Sequence, residues 1–458
     1  MRTDTQRAAK YDAKTIPASV AAIVAAVLPG MRLNFRDPFG TMDLVEKEQQ
    51  TQGLLNAAGT PTIQYPLYLD FVRLIWRMSN AGIAGPALAT IAAGIMKSWQ
   101  ARGLSLSTLQ TLALNTANTW PPAHAITVGT APIFTLYNPT SRKIYVSNTT
   151  DGTVTVIDAQ TATVLTTITV GTRPSFLCHN PTNNKVYVAN FTSNNISVID
   201  GETNTVSATV AAGTGPLQTC HNATNNKVYV TNVGSNNVTV IDGATNAVLT
   251  TVAVGTGPGA LTWYASANKV YVCNPDSDNV TIINGATNAV IATVAVGTTP
   301  SWVTYLTSAN KIYVCNAVSD NVKIIDGTSN IVIATTSVGT TPICAVANSL
   351  SSRIVVANTS SNNVSIIDGT SNLVTATKAV GTSPEYLVYN AAQNKVYSSN
   401  SGSNNVTILD GTTNAVLATV TVGVLPALMA VATAIDKVFI ACTTSEQVHI
   451  IDGKYNKL

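Results

Sequence analysis

Short runs of β-branched and aromatic residues alternate along most of the chain with polar segments rich in Gly, Asn, Asp and Ser. Residues 185–210 are typical: KVYVAN is followed by a TSNN segment, and then by ISVID, GETN and TVSATV. Apolar runs of this length between turn-forming residues predict short strands. A more variable apolar stretch precedes each KVYVAN-like run, so every unit contains four predicted strands.

The unit repeats at a fixed interval. A Val-Gly pair or its equivalent closes each unit, and successive glycines lie 42 residues apart. These glycines are Gly129, Gly171, Gly213, Gly255, Gly297, Gly339, Gly381 and Gly423. Four short strands per 42 residues are typical of a β-propeller blade, whereas helical repeats would be less rich in Val and Thr.

The two ends of the repeat region predict how the ring closes. The eighth unit ends after its third strand, VHIID, and HAITV at 124–128 matches the fourth strand of the other units. We therefore expect an all-β propeller of eight four-stranded blades, in which the strand at 124–128 completes the last blade. This propeller is predicted to occupy residues 121–458.

The second predicted strand of each unit resembles a known family. The sequence YVTN occurs at 229–232, and close copies read YVSN, YVAN and, twice, YVCN. The last three units depart from this pattern as VVAN, YSSN and FIAC. These residues are similar to the YVTN family of β-propeller repeats, over about 337 residues. The resemblance implies a surface or interaction role, as in surface-layer and other extracellular proteins of bacteria and archaea, and implies no catalytic residue.

Residues 1–120 follow a different pattern. Leu67, Phe71, Leu74 and Met78 recur at helical spacing, and other segments of this region do the same. Charge changes at the same boundary: residues 1–121 hold 11 Lys/Arg and 7 Asp/Glu, whereas the rest holds 14 and 15. We expect a small α-helical domain at 1–120 that anchors the chain to other protein subunits or mediates oligomerisation.

Charge and hydropathy argue against several classes of partner. Neither region has the clustered Lys/Arg face that nucleic acid requires, so no nucleic-acid partner is expected. The apolar run at 16–29 is too short to span a bilayer, and no membrane span is predicted. Acidic residues precede this run and no A-x-A site follows it, so the chain has no convincing signal peptide.

Most repeated polar residues are interpreted as structural. The Asp of each IDG segment is predicted to bind backbone amides in a turn. The Asn pair of SNN is also interpreted as turn residues, since Asn tolerates left-handed backbone. The Lys that begins each KVYV run is predicted to be a solvated residue at a strand start. The six cysteines are expected to be mostly free and buried.

The pairs Cys178-His179 and Cys220-His221 contain the residue types of a zinc site. Their recurrence in matching contexts 42 residues apart favours duplication over metal binding. The sequence contains no G-x-S-x-G, phosphate-loop or H-E-x-x-H motif, and the constant spacing leaves no long loop to carry catalytic groups. We therefore expect no catalytic residue, cofactor or metal.

The units differ most in the predicted innermost strand, between the Gly and the Lys. Aromatic residues concentrate there, and the candidate binding surface is Trp263, Tyr264, Trp302, Tyr305, Tyr386 and Tyr389. Aromatic side chains near a propeller mouth can bind a glycan or a partner protein. The alternative is that they fill the centre of the ring.

These patterns favour a non-enzymatic structural or binding protein of an extracellular assembly. In this hypothesis the helical domain docks into the assembly and the propeller is displayed outward, with a virus or phage particle as the simplest case. The alternative is a secreted or cell-surface adhesion propeller of a bacterium or archaeon. A propeller enzyme that binds a cofactor or metal is the third hypothesis.

Overall fold

The computed structural model describes residues 125–458, which form 32 strands in eight four-stranded antiparallel sheets. Each sheet is a blade, and the innermost strand of each contacts the innermost strands of both neighbours, including the first and last blades. The described residues therefore form a closed ring around a central channel. The predicted helical domain at 1–120 and its boundary with the propeller lie outside the described residues.

Blades are numbered 1 to 8 along the chain, and the first two strands of each lie nearest the channel. The innermost strands are β2 Pro132–Asn138, β6 Pro174–Asn180, β10 Pro216–Asn222, β14 Leu261–Tyr264, β18 Pro300–Leu306, β22 Pro342–Asn348, β26 Pro384–Asn390 and β30 Pro426–Ala432. The second strands are β3 Lys143–Asn148, β7 Lys185–Asn190, β11 Lys227–Asn232, β15 Lys269–Asn274, β19 Lys311–Asn316, β23 Arg353–Asn358, β27 Lys395–Asn400 and β31 Lys437–Cys442.

The remaining strands lie toward the circumference. The third strands are β4 Thr153–Asp158, β8 Asn195–Asp200, β12 Asn237–Asp242, β16 Asn279–Asn284, β20 Asn321–Asp326, β24 Asn363–Asp368, β28 Asn405–Asp410 and β32 Gln447–Asp452. The outermost strands are β5 Thr163–Thr169, β9 Thr205–Ala211, β13 Val248–Ala253, β17 Val290–Ala295, β21 Val332–Ser337, β25 Val374–Ala379, β29 Val416–Thr421 and, for blade 8, β1 Ala125–Thr127.

Helical structure within residues 125–458 is limited to single 3₁₀ turns between strands. They are Val233–Ser235, Ala265–Ala267, Pro275–Ser277, Thr307–Ala309 and Thr433–Ile435. In this part of the chain no helix has the length and apolar character needed to cross a membrane.

The repeated Asp and Asn residues form the turns that the sequence predicted. In blade 3, Asp242 Oδ1 accepts hydrogen bonds from the backbone amides of Ala244 at 2.9 Å and Thr245 at 2.8 Å. These backbone hydrogen bonds hold the pKa of Asp242 below its usual range. Asn194, in the turn between β7 and β8, has φ 55°, a left-handed conformation that Asn tolerates. The interpretation of the Asp is confirmed, and so is that of the first Asn of the pair; the second, Asn195, is instead the first residue of β8.

Ring closure also follows the prediction. Strand β1 pairs antiparallel with β32, with Ala125 opposite His449 and Thr127 opposite Gln447. The Val128 amide extends the ladder by donating to the Glu446 carbonyl at 3.0 Å. The first strand of the described chain thus completes the last blade.

The core consists of eight clusters of buried apolar residues, each between two adjacent blades. Between blades 1 and 2, Tyr145 and Val156 pack against Leu177, Val186 and Val188. Since successive residues of a strand point to opposite faces, each blade supplies one set of side chains to each neighbour. This division explains why nearly every residue of the second and third strands is buried.

The prediction that the repeated Lys is solvated was wrong. Lys143 begins β3 as expected, but its Nζ donates to the Gly201 carbonyl at 2.7 Å and to Asn204 Oδ1 at 2.9 Å, both in the β8–β9 turn of blade 2. The equivalent lysines that make the same pair of contacts are Lys227, Lys269, Lys311 and Lys395. The repeated Lys therefore joins each of these blades to the next.

The Tyr of the YVTN-like segment reaches the same turn as the Lys. Tyr187 donates its hydroxyl to Asn246 Oδ1 at 2.8 Å, and Tyr229 donates to Asn288 Oδ1 at 2.9 Å. Lys and Tyr of one blade thus hold the turn between the third and fourth strands of the following blade. We call this set of contacts the interblade clamp.

The six cysteines, all within residues 125–458, are free thiols, and five of them are buried. Burial raises the pKa of the Cys178, Cys273 and Cys344 thiols. The prediction of free, buried cysteines is confirmed.

Candidate functional site: a ring of polar aromatic side chains

The penultimate residue of each innermost strand occupies an equivalent place near one end of the channel. We call this end the turn end, because the innermost strand turns there into the second strand; the opposite end, where most innermost strands begin with Pro, is the proline end. Six of the eight penultimate residues carry a planar side chain with a polar atom: Tyr137, His179, His221, Trp263, Tyr305 and Tyr389. We call these six residues the penultimate ring.

All six members of the penultimate ring are half-buried, so each presents part of its side chain to solvent. The ring is continuous over blades 1 to 5. Ala347 interrupts it in blade 6, and Val431 occupies the same place in blade 8. The members therefore form an arc of five planar side chains, followed by a gap and then Tyr389.

An Asn in the following turn holds the polar end of several ring members. His221 Nε2 lies 3.1 Å from Asn226 Oδ1, and Trp263 Nε1 donates to Asn268 Oδ1 at 3.3 Å. Tyr389 donates its hydroxyl to Asn394 at 3.0 Å, in the same arrangement. Each of the three Asn residues has a positive φ near 50°, which Asn adopts more readily than most residues. The turn thus fixes both the Asn and the side chain that it contacts.

The preceding blade fixes the same Asn from its other side. Asn180 Nδ2 donates to Asn226 Oδ1 at 2.8 Å, and Asn222 Nδ2 donates to Asn268 Oδ1 at 2.8 Å. Both donors end the innermost strand of the preceding blade. The Asn residues that contact His221 and Trp263 are therefore held from two blades, and each of these two ring members contacts an amide whose orientation is fixed.

The two histidines of the penultimate ring are neutral near pH 7. Burial lowers the pKa of His179 and His221 below the usual value, and it outweighs the opposite effect of the contacts with Asn184 and Asn226. Because a carboxamide oxygen can only accept, Nε2 of each histidine carries the hydrogen that points to Asn184 or Asn226. The penultimate ring is thus uncharged.

The innermost strands around the channel are almost free of charge as well. The single Asp, Glu, Lys or Arg among the innermost strands defined above is Glu385. It lies at the proline end, where its Oε1 accepts a hydrogen bond from Ser401 Oγ at 2.7 Å. At the turn end the innermost strands therefore contribute neutral side chains alone. The turns that follow these strands add two charges: Arg142, which acts electrostatically on Tyr137, and Asp436, whose Oδ1 accepts from Asn390 Nδ2 at 2.7 Å.

The structure separates the six predicted binding residues into three groups. Trp263, Tyr305 and Tyr389 belong to the penultimate ring. Tyr264 is only 1% exposed, lies in the core between blades 4 and 5, and donates to Asn310 Oδ1 at 2.5 Å. The centroid of its aromatic ring lies 5.5 Å from that of Tyr305. Tyr264 therefore packs against a member of the penultimate ring from the core side.

Trp302 and Tyr386 form the third group, toward the proline end. Their ring centroids are 6.3 Å apart and their planes meet at 69°, although they belong to blades 5 and 7. Trp302 packs against the apolar clusters on both faces of blade 6. These two side chains therefore meet across the inner edge of blade 6 and fill part of the channel. Burial raises the pKa of Tyr386.

Sequence reasoning missed Tyr137, His179 and His221 as members of the same ring. Their shared place in the 42-residue unit was the available signal, because Trp263 occupies it in blade 4. The two histidines were considered only as zinc ligands. Cys178 points toward blade 3, on the opposite face of β6 from His179, and no group of three or more metal-ligating side chains occurs among residues 125–458.

Comparison with known proteins agrees with the propeller architecture. The sequence matches the YNCE-like β-propeller family over residues 105–258 and 227–457. The chain belongs to the YNCE-like β-propeller family. The resemblance to YVTN repeats is confirmed as well, since those repeats form a related propeller family. No protein with curated information matches this sequence.

Solved structures similar to this YNCE-like propeller have different functions. The dihydro-heme d1 dehydrogenase NirN in complex with DHE is 13% identical, with a TM-score of 0.60 over 78% of this chain and 83% of that chain. The computationally designed Ika8 protein is 12% identical, with a TM-score of 0.62 over 71% and 98%. Hydrazine synthase of Kuenenia stuttgartiensis is 18% identical, with a TM-score of 0.51 over 72% and 97%. At these identities the similarity establishes the fold alone.

Proposed function

We propose that this YNCE-like propeller is a non-enzymatic binding protein, displayed on the outside of an extracellular assembly such as a virus or phage particle. The observation that carries the proposal is the penultimate ring. It offers a rigid, uncharged, partly exposed surface of planar side chains at one end of the channel. Planar amphipathic side chains held in fixed positions favour recognition, since little conformational entropy is lost on binding.

The surroundings of the titratable groups support binding over catalysis. The histidines of residues 125–458 contact the amide side chains of Asn184, Asn226 and Gln447 instead of a hydroxyl or thiol nucleophile. Burial raises the pKa of the cysteines discussed above, which disfavours the reactive thiolate. An activated nucleophile needs the opposite arrangement, with a neighbouring base or a lowered pKa.

The circumference of the propeller supports membership of an assembly. The outermost strands contain one charged residue, Lys378, and no proline. Exposed aliphatic pairs lie on several of them, such as Val164–Leu165 and Val248–Leu249. Isolated proteins usually protect edge strands with charges or prolines, so edges without them favour contact with other subunits.

Localisation in the native source tests the proposal. Antibodies against the propeller should label the surface of intact particles in electron micrographs, and the protein should sediment with those particles in a density gradient. Recovery solely as a soluble monomer would contradict the proposal. Labelling of the cell envelope would favour the alternative, a secreted or cell-surface adhesion propeller.

A further inference from the structure

We infer that the penultimate ring binds a neutral saccharide at the turn end of the channel. This inference rests on the proposed binding function and names the ligand of the same site. It is carried by the juxtaposition of Tyr137, His179, His221, Trp263 and Tyr305 on five consecutive blades, with hydrogen-bonded amides behind three of these five residues.

The planar side chains match the apolar faces of sugar rings. A pyranose has C–H groups on its faces and hydroxyls around its edge, so it packs on an aromatic ring while its hydroxyls remain available for hydrogen bonds. Aromatic side chains with a polar atom serve both requirements, because they combine apolar area with a donor or acceptor. Each member of the penultimate ring combines a planar face with a polar atom, and in Tyr137 the hydroxyl itself is buried.

The amide network is suited to a ligand rich in hydroxyls. Asn225 Oδ1 accepts from Asn268 Nδ2 at 2.6 Å, and Asn268 Oδ1 accepts from Trp263 and from Asn222. Carboxamides that are fixed in this way present the remaining donors and acceptors in defined directions. Sites with defined polar groups discriminate strongly between ligands that satisfy them and ligands that do not.

Charge argues against the main competing ligands. Anionic ligands, including nucleic acid and sulfated glycans, need clustered cations at the site. The innermost strands contain no Lys or Arg, and the turns that follow them contain a single cation, Arg142, which acts electrostatically on Tyr137. The lysines nearest to these strands along the chain, such as Lys227 and Lys269, donate to carbonyls of the next blade.

The gap at blade 6 allows a test in which a substitution is expected to tighten saccharide binding. Ala347 occupies the ring position between Tyr305 and Tyr389, and it is half-buried like the ring members. An aromatic residue there would extend the arc of planar side chains across blade 6. The variant Ala347→Tyr is therefore expected to bind the saccharide about tenfold more tightly, if the added ring packs on one further sugar unit.

Binding is measured with the full chain and stated probes. An array of neutral, sialylated and sulfated glycans identifies preferences, and calorimetry with cellohexaose, maltohexaose and chitohexaose gives affinities. We expect neutral glycans to bind, and Trp263→Ala and Tyr389→Ala to weaken binding about tenfold or more. Tyr386→Ala, on the same strand as Tyr389 but at the proline end, is the matched control and should change affinity less than twofold.

Near-UV circular dichroism and thermal melting establish that each variant is folded, and Tyr386→Phe replaces Tyr386→Ala as control where the latter is unfolded. The inference is overturned if no neutral glycan binds, if sulfated or sialylated glycans bind better, or if the ring variants and the control lose affinity equally. If antibodies against the propeller label particle surfaces but the protein binds no saccharide, this inference alone is overturned. If the protein binds a saccharide but is found only as a free monomer, the assembly role is overturned and the saccharide site is retained.

Discussion

Blade 8, which closes the ring, differs from the continuous blades at one equivalent place. In blade 3, Asn232 at the end of the second strand donates to Thr239 Oγ1 of the third strand at 2.9 Å. The same Asn-to-hydroxyl bond occurs in blades 1, 2, 4, 6 and 7. In blade 5 the Asn is kept as Asn316, but Lys323 takes the place of the hydroxyl residue. Blade 8 instead places Cys442 and His449 at these two positions.

The difference lies where the closing strand is added. His449 is directly opposite Ala125 of β1, and its imidazole is buried with no partner for Nδ1. Cys442 packs in the apolar cluster between blades 7 and 8, and His449 Nε2 lies 3.2 Å from Gln447 Oε1. Six of the seven continuous blades thus share this contact, whereas blade 8 has different residues at both positions.

The largest effect is expected from a charge in the closing strand. Ile126 of β1 is 8% exposed and packs with Ile144, Phe439 and Val448 between blades 8 and 1. Replacing it by Asp buries a carboxylate with no partner and should lower the free energy of unfolding by about 3 kcal/mol or more. Urea unfolding measures the loss. The adjacent variant Thr127→Asp, at an exposed position, should change stability by less than about 0.5 kcal/mol.

A smaller effect is expected within the interblade clamp. Tyr187→Phe removes the hydrogen bond to Asn246 and should destabilise the propeller by about 1 kcal/mol. Tyr313 occupies the same repeat position, but its buried hydroxyl has no partner. Tyr313→Phe should therefore be neutral or stabilising. Equal losses in urea unfolding for both variants would show that the hydrogen bond from Tyr187 to Asn246 contributes nothing to stability.

Acid should weaken the closing blade. Burial lowers the pKa of His449 in the folded protein, so below pH about 6.5 the unfolded chain binds a proton that the folded protein resists. Stability is then fully present above the unfolded pKa and is lost as pH falls below it toward the folded pKa. His179 and His221 contribute with the same sign.

Replacing His449 by Thr, the residue found at this place in blade 3, should make the dependence of stability on pH between 4.5 and 7 shallower without abolishing it. Thermal melting across this pH range provides the measurement. An unchanged slope would exclude His449 as a contributor to acid sensitivity.

The smallest effect is expected where the repeat varies without structural consequence. Asn284 replaces the turn Asp in blade 4 and accepts the same two backbone hydrogen bonds, from Ala286 at 2.9 Å and Thr287 at 3.0 Å. Asn284→Asp should therefore change the free energy of unfolding by less than about 0.5 kcal/mol. A loss above about 1 kcal/mol in urea unfolding would show that blade 4 requires a neutral side chain in this turn.

The fold was predictable because each strand is bounded by residues with a local structural reason. Asp242 and Asn194 specify turns by their own hydrogen bonds or backbone preferences, and the fixed spacing then sets the blade and its copies. The missing fourth strand of the last unit also identified the closing strand. These features depend on short segments, which a sequence shows directly.

The interblade clamp and the penultimate ring were less predictable because they depend on contacts between blades. Nothing near Lys143 in the sequence indicates that its amine reaches Gly201. Likewise, Trp302 and Tyr264 resemble Trp263 in type. A shift of three positions along the strand places Trp302 in the channel, and a shift of one position places Tyr264 in the core. Register within the innermost strand decides the role of an aromatic residue, and the aromatic content alone does not reveal it.

The pairing of Thr127 with Gln447 has a consequence for biosynthesis. The first strand of the propeller leaves the ribosome before almost all of the ring exists, and its partner is added last. At ordinary elongation rates of about 5–20 residues per second, that strand remains without its partner for tens of seconds. Until synthesis is complete, β1 has no strand to pair with and the last blade is incomplete. Truncated products from early termination would remain in this state, which makes them candidates for chaperone binding and degradation.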